Sequence, residues 1–317
     1  MHLDSGRDLY NFYALENKSD SYIAYLYLKH LDHFMKHVYE TLNLPAREVP
    51  GQVGETVDDI LAAYVAQIAE AADSLETNIY HGKVLTLKDA IKLVTQKKPI
   101  RLPPVNERVL PYKIARDVLL ENPEAIAVGT CACRMVAKES CLPMPAEVCL
   151  VVGEPWVSFI TEHNPKMFRR TSQPEATETL QAAHERGDVH AAYFKKEMKG
   201  RFFAICNCCD CCCVGVRMWN MLEGAMPYLA PSGYSTTVTD DCTACGACAE
   251  PKGCPFHAIS LDEKAGRAVI DHDKCMGCGA CQRTCAAGAL SLARDASKGE
   301  PLDVEELTRE LHTAEKS

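Results

Sequence analysis

Asp241-Cys242-Thr243-Ala244-Cys245-Gly246-Ala247-Cys248, followed after five residues by Cys254-Pro255, is repeated in outline by Lys274-Cys275-Met276-Gly277-Cys278-Gly279-Ala280-Cys281 and a trailing Cys285. Each run supplies three thiols from one tight loop and a fourth from further along the chain. That is the donor set of a 4Fe–4S cubane, whose irons stand at the corners of a tetrahedron and take one thiolate each. Gly246, Gly277 and Gly279 suit such loops because glycine tolerates positive φ. The duplication extends to the apolar strand after each run, Ala258-Ile259-Ser260-Leu261 and Ala289-Leu290-Ser291-Leu292. These spacings predict two 4Fe–4S clusters and one-electron chemistry.

The segment resembles the bacterial-type two-cluster ferredoxins. In that family the fourth cysteine of each run ligates the other cluster. The resemblance therefore implies one cluster on Cys242, Cys245, Cys248 and Cys285, and a second on Cys275, Cys278, Cys281 and Cys254. Two departures from the family pattern are present: five residues rather than three separate Cys248 from Cys254, and Ala286 rather than proline follows Cys285. Neither removes a ligand, and the insertion bears on solvent access, one determinant of cluster potential. Zinc ribbons or disulfides are the alternative reading, although zinc sites more often pair two Cys-x-x-Cys knuckles.

With 317 residues the chain suits two or three domains, and 47% apolar residues suffice for a core outside the cluster loops. A net charge of −9 and the lack of a long basic run argue against a nucleic-acid partner. Eighteen cysteines would fit a secreted disulfide scaffold, but Met1-His2-Leu3-Asp4 opens no secretory leader. No long apolar stretch predicts an integral membrane segment, since Gln67 and Glu70 interrupt 60–72. The expectation is a cytoplasmic protein whose thiols bind metal. No Gly-x-Gly-x-x-Gly or P-loop points to a nicotinamide or ATP site.

The predicted fold class is α+β: a helical N-terminal region (1–104), a Cys-rich α/β metal-binding domain (105–235), a two-cluster ferredoxin domain (236–294) and a charged tail helix (295–317). Apolar spacing predicts helices over 20–48, 57–75 and 87–94. A Pro-rich connector starts at Ile100, and Pro111 opens a helix to about Glu121. Strands are expected at 125–129, 148–152, 189–194 and 202–206, and helices at 214–222 and 304–312. Ser172-Gln173-Pro174-Glu175 is a capping box for a helix stopping near Gly187.

Ten further cysteines lie upstream: Cys131, Cys133, Cys141 and Cys149, then Cys206, Cys208, Cys209, Cys211, Cys212 and Cys213. On an extended strand, residues i and i+2 share a face roughly 6.6 Å apart, close to the spacing of thiolates on different irons of one cubane. Cys131 with Cys133, Cys206 with Cys208, and Cys211 with Cys213 are thus candidate ligand pairs. Adjacent residues such as Cys208 and Cys209 would face two different centres. The set suffices for one or two additional iron–sulfur clusters. Zinc is the alternative for part of it, and a buried apolar role is the alternative for Cys141 and Cys149. Arg134 would bring positive charge to an anionic cluster or form a surface ion pair. His184 and His190 are candidates for metal ligation or proton relay, with a purely structural role as the plainer reading.

Pro111-Tyr112 through Ile126, Cys131-Ala132-Cys133-Arg134, Gly187-Asp188-Val189-His190 and Ile205-Cys206-Asn207-Cys208-Cys209 resemble a group of anaerobe iron–sulfur proteins in which such a block precedes a ferredoxin domain. The resemblance spans roughly 111–290 and implies an oxidoreductase or electron-carrier role with a redox partner protein. Three functions follow as expectations: a relay passing electrons from the ferredoxin domain through the Cys-rich domain; a reductase acting on a small-molecule substrate at an open cluster or free thiols between Cys131 and Cys213; and a redox or metal sensor.

Overall fold

The structure is a computed structural model; it describes residues 5–6, 9, 18–49, 53–72, 80–102, 107–111, 118–195, 198–224, 229–250 and 252–314. In chain order the strands outside the ferredoxin segment are β1 (Tyr80–Leu85), β2 (Ile100–Leu102), β3 (Val118–Leu120), β4 (Ile126–Thr130), β5 (Glu147–Val152), β6 (Phe168–Thr171), β7 (Val189–Lys195), β8 (Arg201–Cys208) and β9 (Leu229–Ala230). Seven of them form one sheet in the order β6-β4-β5-β8-β7-β1-β9. Its ladders are antiparallel except that β1 and β9 run parallel.

Helices cover both faces of this sheet, which is why β4 and β7 are buried at every position, the polar Thr130, His190 and Lys195 included. On one face lie α1 (Lys18–Lys29), α2 (Leu31–Thr41), α3 (Glu55–Ala72) and α6 (Trp156–His163). Their Leu26, Phe34, Leu61 and Trp156 share a core with Ala127, Val151, Ala191 and Tyr193 of the strands. The opposite face carries α4 (Leu87–Val94), α7 (Gln173–Arg186) and α9 (Val304–Ala314). There Leu93, Leu180 and Val304 pack on Ile126, Leu150, Phe194 and Ile205. Two short helices, α5 (Ala132–Val136) and α8 (Val214–Met221), leave strand ends beside the cysteines.

The helical stretch predicted over 20–48 is two helices that part at His30. The helix predicted from Pro111 to Glu121 is not formed at its C-terminal end: Val118–Leu120 is strand β3, and 112–117 lie outside the described residues. Pairing with Ile100–Leu102, expected as connector, explains the change. The β2–β3 ladder buries Ile100, Leu102, Val118 and Leu120 in the second core, and long-range pairing overrides the local helix signal.

Two small antiparallel pairs build the C-terminal unit. β10 (Tyr234–Val238) pairs with β13 (Leu290–Arg294), and β11 (Ile259–Asp262) pairs with β12 (Arg267–Ile270). The two strands predicted after the cysteine runs are β11 and β13, so the sequence duplication is a duplicated strand pair. Mixed helices and strands with a C-terminal ferredoxin-like unit make the chain α+β.

Candidate functional site

The eight C-terminal thiols gather as two sets. A small cavity is lined by Cys242, Cys245, Cys248 and Cys285 together with Leu261 and Ala268. Burial first, then the charges of Cys242, Cys245 and Cys285, raise the titration of Cys248, so these four are mutual neighbours. The Cys278 thiol is pushed far up by burial and by Cys254, Cys281 and Cys275. Burial also pushes Cys281 up to about 12. Each loop is thus joined by the trailing cysteine of the other run.

Backbone shape makes these loops. Gly246, Gly277 and Gly279 have φ of 80°, 64° and 78°. At Gly277 a Cβ would stand 2.1 Å from the Tyr234 carbonyl oxygen, so only glycine fits between loop and β10. Backbone N–H groups aim at sulfur: Ala258 to Cys254 at 3.2 Å, Ala289 to Cys285 at 3.2 Å and Ala268 to Cys242 at 3.4 Å. Such donors stabilise thiolates and tune the centre they would ligate. The donor set and its cradle fit two 4Fe–4S groups.

The ten upstream thiols divide into a ring and a quartet. Around the ring, Cys131 neighbours Cys133 and Cys149, Cys149 neighbours Cys206, Cys206 neighbours Cys208, Cys208 neighbours Cys213, and Cys213 returns to Cys133. The elements explain the placement. An extra residue in β8, where Tyr193 pairs Ala204 but Phe194 pairs Phe202, lets Ala204, Cys206 and Cys208 alternate onto the face covered by α1–α3. Cys149 projects from the neighbouring β5, while Cys131 and Cys213 are the residues preceding α5 and α8.

Six crowded thiols cannot all ionise together. Cys133 and then Cys149 hold Cys131 and Cys206 in opposite senses: the Cys131 thiol is pulled well down by its bond to Cys133, and Cys206 is driven well up by Cys149. Bound cations are what allow every member of such a set to be a thiolate. The ring lines one side of a cavity of about 180 Å³. Across from it stand Leu31, Phe34 and Met35, and the buried Lys195, whose Nζ lies 3.4 Å from the centre of the Tyr27 ring and 4.6 Å from that of Phe34. Burial depresses the Lys195 pKa far below its ordinary value.

The quartet is Cys141, Cys209, Cys211 and Cys212, whose sulfurs all lie within 4.8 Å of one another. Cys208 and Cys209, adjacent in the sequence, lie in different thiol groups. Cys211 and Cys213, paired in the sequence reading, are parted: Cys211 belongs to the quartet and Cys213 to the ring. The residues 210–212 form a turn, not the extended strand that the i, i+2 argument requires. Cys141 and Cys149 both join thiol groups.

Arg134 sits between the two groups and is 1% exposed. Its guanidinium donates to Cys141 Sγ at 3.5 Å, to the Asn207 carbonyl at 2.8 Å and to Asp188 Oδ1 at 2.9 Å. Of its two sequence readings, counter-charge beside the thiols fits and a surface ion pair does not. Next to it His190 Nδ1 lies 2.6 Å from Asn207 Oδ1, and His184 stacks on His190 at 5.7 Å. Burial lowers the His190 pKa to about 4. Neither histidine reaches the thiol quartet, consistent with a structural role.

Residues 241–289 match the family model described as the 4Fe-4S dicluster domain. No curated protein and no solved structure matches the chain. The C-terminal unit is a 4Fe–4S dicluster domain, and together with the cysteine-rich region over 131–213, whose thiols offer a donor set for metal, it fits an iron–sulfur protein.

Proposed function

We propose that the chain is an electron-transfer component of an oxidoreductase, in which single electrons pass between the dicluster unit and a metal centre held by the six-thiol ring, and from there to a redox partner. In this reading the chain divides into 1–104, 105–235, 236–294 and a tail over 295–317, and works as a cytoplasmic protein of anaerobic metabolism. Ligation in the dicluster unit follows the two crossed sets, and Cys131, Cys133, Cys149, Cys206, Cys208 and Cys213 hold the further centre. When bound, 4Fe–4S groups supply one-electron redox chemistry; the residues insulate, position and tune.

One observation carries this reading. Cys208 and Cys213 of the ring lie in the same unbroken apolar core as Cys248, Cys254, Cys275 and Cys281 of the dicluster unit. Polar contacts fasten the two parts along that core: Asn220 donates to the Pro255 carbonyl at 2.9 Å, Asp210 lies 3.6 Å from His257, and the Ser232 hydroxyl donates to the Gly277 carbonyl at 2.7 Å. No helix among the described residues is long and apolar enough to cross a membrane. Coulometric reduction tests the proposal: the chain accepts more than about two electrons, the capacity of a dicluster unit. Cys206→Ser lowers the count to that value, whereas a wild-type count of about two contradicts the relay.

The cavity favours a second reading, in which a small molecule is reduced beside the ring. About 180 Å³ of mainly apolar space adjoins the thiols, with the buried Lys195 side chain on its wall. Spectral changes of the ring centre on adding small thiols or disulfides would support this reading; a pure relay does not respond.

A further inference from the structure

We propose that Cys141, Cys209, Cys211 and Cys212 bind a single thiophilic divalent cation, zinc first among them, separate from every iron–sulfur centre of the chain. Distances separate this from a cluster. Cys141 Sγ lies 3.5 Å from Cys209 Sγ and 3.9 Å from Cys212 Sγ, and Cys211 Sγ lies 3.6 Å from Cys212 Sγ. Four thiolates at about 2.3 Å from one tetrahedral ion stand about 3.8 Å apart. Thiolates of a cubane stand roughly 6–7 Å apart, because each projects outward from its own iron.

The rest of the molecule supplies an internal comparison. Among the described residues, neither the dicluster thiols nor the ring thiols form a group of three within the 4.8 Å that encloses all four of the quartet. Sequence adjacency points the same way. Neighbouring cysteines in a turn, as Cys211 and Cys212 are, chelate one ion readily and serve two irons of one cubane poorly. Arg134 completes the surroundings by donating to Cys141 Sγ while anchored on Asn207 and Asp188. A metal-bound thiolate with an oriented charged donor is the usual outer-shell arrangement.

Binding is a proton exchange without redox change. Four thiols release four protons as four metal–sulfur bonds form, leaving a site of net charge −2 that the Arg134 guanidinium partly offsets. The ion clamps the loop carrying Cys141 to the 209–212 turn. Cys208 and Cys213, immediately flanking that turn, are ring members, so the ion lies next to the ring without being needed to assemble it or taking part in electron transfer.

The test measures zinc, iron and acid-labile sulfide on full-length protein purified anaerobically, as wild type and as Cys141→Ser, Cys211→Ser and Cys206→Ser. Cys141 and Cys211 are exposed, and the dicluster absorbance reports that each variant is folded. About one zinc per chain is expected in wild type and in Cys206→Ser, falling roughly tenfold in the two quartet variants while their iron and sulfide stay constant. Protein produced with cobalt in place of zinc shows the d–d bands of tetrahedral thiolate coordination, absent from Cys141→Ser. Joint loss of iron and sulfide from the quartet variants, or folded wild type with neither zinc nor the cobalt bands, overturns the proposal.

Discussion

Arg134 shows how much one residue organises. Its buried guanidinium spans a thiol, a backbone carbonyl and a carboxylate, and removing it strands Asp188, which is 6% exposed, with Arg186 as its remaining cation. Arg134→Met is expected to destabilise the fold by about 3–5 kcal/mol, read from the denaturant midpoint. At Gly277 the positive φ alone would cost a side chain about 1–3 kcal/mol, and the clash with Tyr234 adds to it. Gly277→Ala should therefore lower iron and sulfide in the dicluster unit while leaving zinc in place. His190 gives a pH signature. Its folded pKa of about 4 lies below the unfolded value of 6.5, so the unfolded chain binds more protons between them. The stability held above pH 6.5 is lost as pH falls toward 4, by roughly 3 kcal/mol in all. Comparing unfolding of wild type and His190→Gln across that window isolates the effect, and equal slopes would show that His190 is not the titrating group.

Elements whose signals are local were legible, and those that depend on distant partners were not. Helix α7 runs from Gln173 to Arg186 between the two predicted signals: the Ser172 hydroxyl accepts from the Glu175 N–H at 3.3 Å, and Gly187 closes the helix at φ 89°. Thr86 caps α4 in the same way, accepting from Asp89 N–H at 3.2 Å. Ser172→Ala should cost about 1 kcal/mol, measurable as a shift in unfolding midpoint. By contrast β10 and β12 are short and carry Thr237 and Arg267; they are strands because β13 and β11 lie beside them. The same holds for β3, whose pairing with β2 displaced a predicted helix. Among the cysteines, the two C-terminal runs declare themselves by spacing, since three ligands come from one loop. The division of Cys206–Cys213 between ring and quartet rests on the turn after β8 and on Cys149 and Cys141 arriving from elsewhere. Spacing alone shows only that Cys208 and Cys209 point apart.

At the scale of the molecule, one sheet face is covered by α4, α7 and α9, and the other, under α1–α3 and α6, also holds the thiol ring and shares its core with the dicluster cysteines. Trp219 of α8 meets Phe256 edge-on at 6.4 Å between the two cysteine regions. Trp219→Ala should loosen this junction and slow reduction of the ring centre in stopped-flow mixing with dithionite, with dicluster reduction unchanged. The most direct test of the account is an EPR-monitored redox titration of the anaerobically purified chain. The expected spectrum holds the signals of a dicluster unit plus those of a further centre, spin-coupled to them, with the additional signals absent from Cys206→Ser. A spectrum of two clusters alone at about eight irons per chain, unchanged in Cys206→Ser, would contradict it.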